Sequence, residues 1–204
     1  MPPDRLAGWV ERYCGTHPEA VLSVADGGLL LSDGAGASAV VQPLRPFQPE
    51  GDLAVDDLVP ALVRHAEQPT LTAVLLLRRG GYGVGVADGP ALRQSKVGTR
   101  YVQSRTAAGG WSQQRFARRR AGQTHQLVQA AAQAWAELPQ PADLVVLVTG
   151  GDRALCDELL QEPPLSAVAR LGVARHLDVP DPRLDVLRKA AERAHALVVT
   201  VREP

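Results

Sequence analysis

Residues 144–151 read LVVLVTGG, five aliphatic side chains in a row closed by Thr-Gly-Gly. A strand with one wet face would alternate apolar and polar residues. An unbroken run of this length instead fits a strand covered on both sides, as in a parallel sheet flanked by helices. The segments around it supply the rest of such a fold. Upstream, LTAVLLLRR (71–79), GYGVGVADG (81–89) and ALRQSKVGTRYVQS (91–104) read as three strands joined by the glycine-bearing turns RRGGYG and ADGP, the punctuation of an antiparallel meander. Between meander and run, residues 112–138 read as one long helix, with Phe116, Leu127, Ala131, Trp135 and Leu138 recurring along a single stripe. Downstream, DRALCDELLQ is a helix, VARLGVARHLDV contains a strand, DPRLDVLRKAAERA is a helix and HALVVTVRE is a last strand. Three antiparallel strands, a helix, then alternating strand and helix make an α/β protein with a mixed sheet, in the ribonuclease H-like order, over residues 70–204.

Residues 1–68 read as a smaller α/β extension. Leu6, Trp9, Val10 and Tyr13 have helical spacing, and residues 17–44 give short apolar runs broken by Gly and Asp, as in a hairpin or small meander. DLAVDDLVPALVRHAEQP then reads as a second helix, with Pro60 near its first turn or marking its true start. No chemical motif stands out in this part. At 204 residues the chain is long enough for a full hydrophobic core, as one domain or one domain with an appendage.

Composition enters through where the charge sits. The 22 basic and 22 acidic residues cancel, which argues against a generic polycation. Yet between Gly89 and Ala136 the charged residues are Arg93, Lys96, Arg100, Arg105, Arg115, Arg118, Arg119 and Arg120, with no Asp or Glu. That segment is +8 and the remainder −8, so the chain offers a polyanion a basic face and an acidic body.

Other chemistries fit poorly. Cys14 and Cys156 are isolated, without a CxxC or a His at ligand spacing, which argues against a disulfide framework or structural zinc and for a reducing, cytoplasmic location. The start lacks a basic region followed by an apolar run, and no stretch approaches the ~20 apolar residues of a membrane span, so neither export nor a membrane partner is expected. Two-metal nuclease chemistry needs converging carboxylates. The first core strand has none, and Asp88, Asp143 and Asp152 sit where capping and turns explain them. The GxG of GYGVGVADG lies in a hairpin rather than between a parallel strand and a helix, and VTGGDRALCDELL lacks the Lys-Ser/Thr pair of a P-loop, leaving a strand-to-helix turn capped by Asp152. His17, His65, His125, His176 and His195 are scattered, and no Ser or Cys sits in a nucleophile-elbow context.

The segment AAGGWSQQRFARRR, residues 107–120, carries the strongest functional signal. Arg115, Arg118 and Arg119 fall at i, i+3 and i+4, a helix face with no acidic partner to relieve the repulsion. A helix starting near Ser112 points its positive dipole end at the preceding loop. There Gly109 and Gly110 permit close backbone approach beside the uncharged amides of Gln113 and Gln114, which both donate and accept. The combination suits holding a water in a phosphate-rich site.

GGWSQQRFARRR, in a loop leading into a long helix, resembles the Gly-Gly-Gln region of archaeal and eukaryotic class I peptide-release factors. The upstream RYVQSR, Arg100 to Arg105, is similar to the R-Y-x-x-R segment of Vms-type tRNA-releasing factors, whose tip has a Gly-Ser-Gln form. The chain thus resembles the Vms-like release factor family in its stand-alone actinobacterial branch. Against the Gly-Ser-Gln form, Gly110, Ser112 and Gln113 fill the roles with Trp111 inserted, so the resemblance implies Gln113 as the catalytic amide, with Gln114 as the alternative.

The resemblance implies a release-factor catalytic domain of ribonuclease H-like fold with its GGxSQ loop at residues 107–114. Its chemistry would be hydrolysis of the peptidyl-tRNA ester in the peptidyl-transferase centre of the large ribosomal subunit, on stalled ribosomes and without reading a codon. Lys96, Arg100, Arg105, Arg115, Arg118, Arg119 and Arg120 would contact tRNA or ribosomal RNA phosphates. Neither cofactor nor metal is called for. Cleavage of the tRNA 3′ end and non-catalytic RNA or ribosome binding by the same basic face stay open as alternatives.

Overall fold

The computed structural model describes residues 1–99 and 112–203, and for residues 112–121 it describes the backbone alone. The chain forms two compact units. One comprises residues 1–69 and 195–204, the other residues 70–194.

In the leading unit, α1 (Leu6–Thr16) precedes a meander of β1 (Val21–Ala25), β2 (Gly28–Ser32) and β3 (Ser38–Gln42), followed by α2 (Val55–Glu67). Both antiparallel pairings run through short turns, Ala25 opposite Gly28 and Ser32 opposite Ser38. One face of this sheet is dry. Leu29 and Leu31 of β2 with Ala39 and Val41 of β3 bury against Leu6 and Tyr13 of α1 and Leu58 and Leu62 of α2. Alternation of one covered and one uncovered face explains the short, broken apolar runs in the sequence. Helix α2 starts at Val55, so Pro60 lies inside it rather than in its first turn or at its start. Its ring is exposed, and the missing N–H leaves only one helical bond unmade.

The second unit begins with β4 (Leu71–Arg78), β5 (Gly81–Asp88) and β6 (Ala91–Thr99), then α3 (Ser112–Ala136), β7 (Val146–Gly151), α4 (Arg153–Leu160), α5 (Ser166–Ala169), β8 (Val173–Leu177) and α6 (Leu184–His195). The sheet order is β6-β5-β4-β7-β8; counted within this unit, it is 3-2-1-4-5. Strand β4 sits at its centre, antiparallel to β5 and parallel to β7. Six consecutive β4 residues, Thr72 to Leu77, are buried, as are Val146 to Gly150 of β7. The two unbroken aliphatic runs are thus neighbouring central strands.

Helices cover both faces. Ala73, Leu75 and Leu77 of β4 with Val84 and Val86 of β5 pack against Leu127, Ala131 and Trp135 of α3. On the opposite face, Gly83 and Gly85 admit Leu187 of α6, whose Cδ atoms lie 3.7 and 3.3 Å from where a Cβ would stand. At Gly85 a Cβ would also stand 2.7 Å from the Gln94 carbonyl oxygen and 2.9 Å from Leu92 Cδ1 of β6, so the tight position is Gly85, whereas Gly83 has ordinary room. The stripe expected on the long helix is buried at Leu127, Ala131, Trp135 and Leu138; the Phe116 side chain lies outside the described residues.

The last strand, β9 (Val198–Arg202), departs from the expected core at 70–204. It pairs antiparallel with β3, making the leading sheet β1-β2-β3-β9. Its side chains give the reason: Leu197 and Val199 join the leading core, whereas Val198 and Thr200–Arg202 are not buried. A strand with one apolar side suits a sheet with one covered face. The Met1 ammonium donates to the Leu197 carbonyl at 2.7 Å and the Leu197 N–H donates to the Met1 carbonyl at 2.8 Å, tying both chain ends into this unit.

Candidate nucleic-acid interface

Strand β6, an edge of the five-stranded sheet, ends at Thr99 opposite Gly81, and α3 begins at Ser112. Arg100, Arg105, Gly109, Gly110 and Trp111 lie outside the described residues. Ser112, Gln113 and Gln114, expected at the end of a loop spanning 107–114, form the first turn of α3. The first turn of any α-helix has backbone N–H groups with no partner four residues back within the helix, and they point out at its positive end. The first turn holds no acidic residue. Arg115, Arg118, Arg119 and Arg120 follow on the next turns, their side chains outside the described residues.

This helix start is held from its other end. Leu127, Val128, Ala131 and Trp135 are buried against the sheet. Nearer the arginines, His125 Nδ1 lies 3.3 Å from Glu158 Oε1 of α4. The indole N–H of Trp135 is buried without an acceptor among the described residues.

Lys96 differs from its expected place on an open cationic face. On β6 it donates to Glu137, just past the end of α3, and Gln133 Nε2 donates to the same carboxylate at 3.0 Å. The Lys96 hydrogen bond, then that of Gln133, holds the Glu137 carboxyl below the usual range. Arg93, also on β6, donates to Asp88 at 3.1 Å. Both acids stand just outside the acid-free stretch of sequence, and the fold brings them back to it. The two β6 cations are therefore offset locally, which leaves the arginines from Arg100 onward as the stretch without an acid in sequence.

Elsewhere the chemistry-bearing residues have structural employment. At the β7–α4 turn, Gly151 has φ +93°, and a Cβ there would stand 2.2 Å from the Leu77 carbonyl oxygen. Asp152 caps α4, its Oδ1 accepting from the Leu155 N–H at 3.4 Å. The carboxylate fills the place a phosphate would take. His176 of β8 lies 3.2 Å from the Gly151 carbonyl through Nε2 and 2.8 Å from the Thr149 hydroxyl through Nδ1. A carbonyl only accepts, so Nε2 carries the proton and Nδ1 accepts from Thr149. This partly buried network joins residues 27 apart, and no sequence spacing signals it. Cys156 donates its S–H to Gly150, and burial pushes its thiol up to about 11, far from a nucleophile. His17 pairs with Asp33 at 3.3 Å and His65 lies 3.1 Å from the Arg45 carbonyl, so these histidines are dispersed rather than assembled. Among the described residues, no group of three His, Cys, Asp or Glu could hold a metal, and no helix is long and apolar enough to cross a membrane.

A mixed sheet ordered 3-2-1-4-5, with its long helix between third and fourth strands and helices on both faces, defines a ribonuclease H-like α/β core. The family model for the actinobacteria/chloroflexi VLRF1 release factor (acVLRF1) matches residues 70–200, most of the chain. The chain belongs to that family. Among solved structures it is similar to the Vms1 mitochondrial localization core, at 9% identity over 95% of this chain and 81% of that one with a TM-score of 0.44. It is also similar to an archaeal translation termination factor, aRF1, at 14% identity over 93% of this chain and 52% of the other with a TM-score of 0.42. No curated protein matches the chain in sequence.

Proposed function

We propose that this release-factor relative is a peptidyl-tRNA hydrolase that frees nascent peptide from tRNA on stalled ribosomes or large subunits without reading a codon. The observation that carries the reading is the family match over residues 70–200, because it contains GGWSQQRFARRR, which follows an edge strand and runs into a helix with a buried far half. Gly109 and Gly110 let the tip approach the ester in the peptidyl-transferase centre. There the Gln113 amide, through its side chain or backbone N–H, holds the attacking water, with Ser112 beside it and Gln114 as the alternative amide. The water oxygen adds to the ester carbonyl, the oxyanion is met by N–H donors, and the bond to the ribose oxygen breaks as that oxygen takes a proton. A glutamine neither titrates nor attacks, so ribosome and tRNA supply the remaining groups.

Arg100, Arg105, Arg115, Arg118, Arg119 and Arg120 bind tRNA or ribosomal RNA phosphates, which makes binding steeply salt-dependent. Lys96, already engaged by Glu137, contributes least to that face. Sizing the products from stalled large-subunit complexes tests the reaction. Hydrolysis yields full-length tRNA and a peptide free of nucleotide; a shortened tRNA with nucleotides on the peptide would replace it with endonuclease chemistry, and binding without turnover would leave an RNA-binding module.

A further inference from the structure

The leading unit contains an open apolar groove of about 930 Å3, lined by none of the residues the release reading uses. Val10 and Cys14 of α1, one turn apart, line one wall, and Val55, Val59 and Val63 of α2, each four residues on, line the other. Val21 and Leu22 complete it at the start of β1, an edge strand whose one partner is β2. Val21 and Val55 are 64% and 55% exposed, large aliphatic side chains that the unit itself leaves uncovered. Asp4, Glu11 and Asp56 stand along the same groove against one cation, Arg64. None of the three carboxylates forms an ion pair among the described residues. The surroundings share that sign, since residues 1–69 hold ten acidic and four basic residues, counting Lys and Arg.

We infer that this groove docks an amphipathic helix of a protein partner, aliphatic along one side and bearing lysine or arginine along its flanks. The apolar wall from Val55 to Val63 spans two helical turns, about 12 Å, which matches anchors at i, i+4 and i+7 of a helix laid in a groove. Carboxylates at the margin select cationic flanks and repel RNA phosphates, so the unit engages a basic protein rather than nucleic acid. The inference is independent of release chemistry, because peptide binding reads it directly.

The test titrates the full chain with fluorescent peptides of about 18 residues, long enough for five turns. One is an amphipathic Leu/Lys helix, one has Glu in place of Lys, one scrambles the Leu/Lys composition, and one alternates Leu and Lys as a strand would. The patterned Leu/Lys helix binds, and each of the others is weaker by about tenfold or more. Val21→Gln/Val55→Gln and Glu11→Lys/Asp56→Lys, all at exposed positions and checked by melting curves, each weaken it by about tenfold. Bound peptide shields Cys14 from alkylation, while Cys156, buried with its thiol pushed up to about 11, stays silent throughout. No binding, equal binding of the scrambled peptide, preference for the strand or Glu peptide, or indifference to both double variants overturns the inference.

Discussion

Along α3, the residues from Leu127 to Trp135 bury Leu127, Val128, Ala131 and Trp135 against the sheet, whereas those from Ser112 to Arg120 bring two glutamines and four arginines. The first stretch is accounted for by folding: apolar residues three and four apart on a face that meets β4 and β5. The second is not. Arginines at that spacing repel, and a helix start gains from acids, of which its first turn has none. The polyanion proposed as partner would relieve both costs.

The contrast sets which changes disturb stability and which disturb function. Trp135→Ala has the largest expected effect, a loss of about 3–5 kcal/mol in a denaturant melt, since the ring is fully buried. Trp135→Phe should be far milder, because it removes an indole N–H that has no acceptor among the described residues. Next in size, Arg115→Glu/Arg118→Glu should leave the melt nearly unchanged but weaken cosedimentation with large ribosomal subunits. It should also lower the slope of log affinity against log salt by roughly two. An unchanged slope would place RNA contact elsewhere.

The smallest effect belongs to the Lys96–Glu137 pair, which is partly exposed. Because the folded Glu137 carboxyl titrates below its ordinary range, its contribution is present above the usual carboxylate pKa and fades as the pH falls through the lowered value. Glu137→Gln should remove that small acid-side step in melting temperature while leaving peptide release at neutral pH intact.

How far the sequence disclosed all this varied with the range of the interaction. Central strands β4 and β7 announced themselves as unbroken aliphatic runs, and the stripe of α3 followed from local periodicity. Pairings between distant residues were silent. Lys96 and Glu137 are 41 apart, and an acid-free stretch in sequence became a neutralised strand in space. β9 follows α6 in the chain yet joins β3, because its single apolar side, Leu197 and Val199, is a tertiary property. The hairpin context of the GxG of β5 argues against a nucleotide motif, but the close approach of Gln94, Leu92 and Leu187 at Gly85 had no signal in the sequence. The candidate site was legible only as a motif, the glycines, glutamines and arginines of residues 107–120, with Gly109 and Gly110 outside the described residues and Gln113 in a helical first turn.

That residue is where the account is most directly testable. Peptide release from stalled large-subunit complexes, measured for wild type, Gln113→Ala and Gln114→Ala at matched binding, should show a loss of about 100- to 1,000-fold for Gln113→Ala and a much smaller one for Gln114→Ala. Equal release by wild type and Gln113→Ala would contradict the assignment, and a loss confined to Gln114→Ala would move the catalytic amide one residue along the helix.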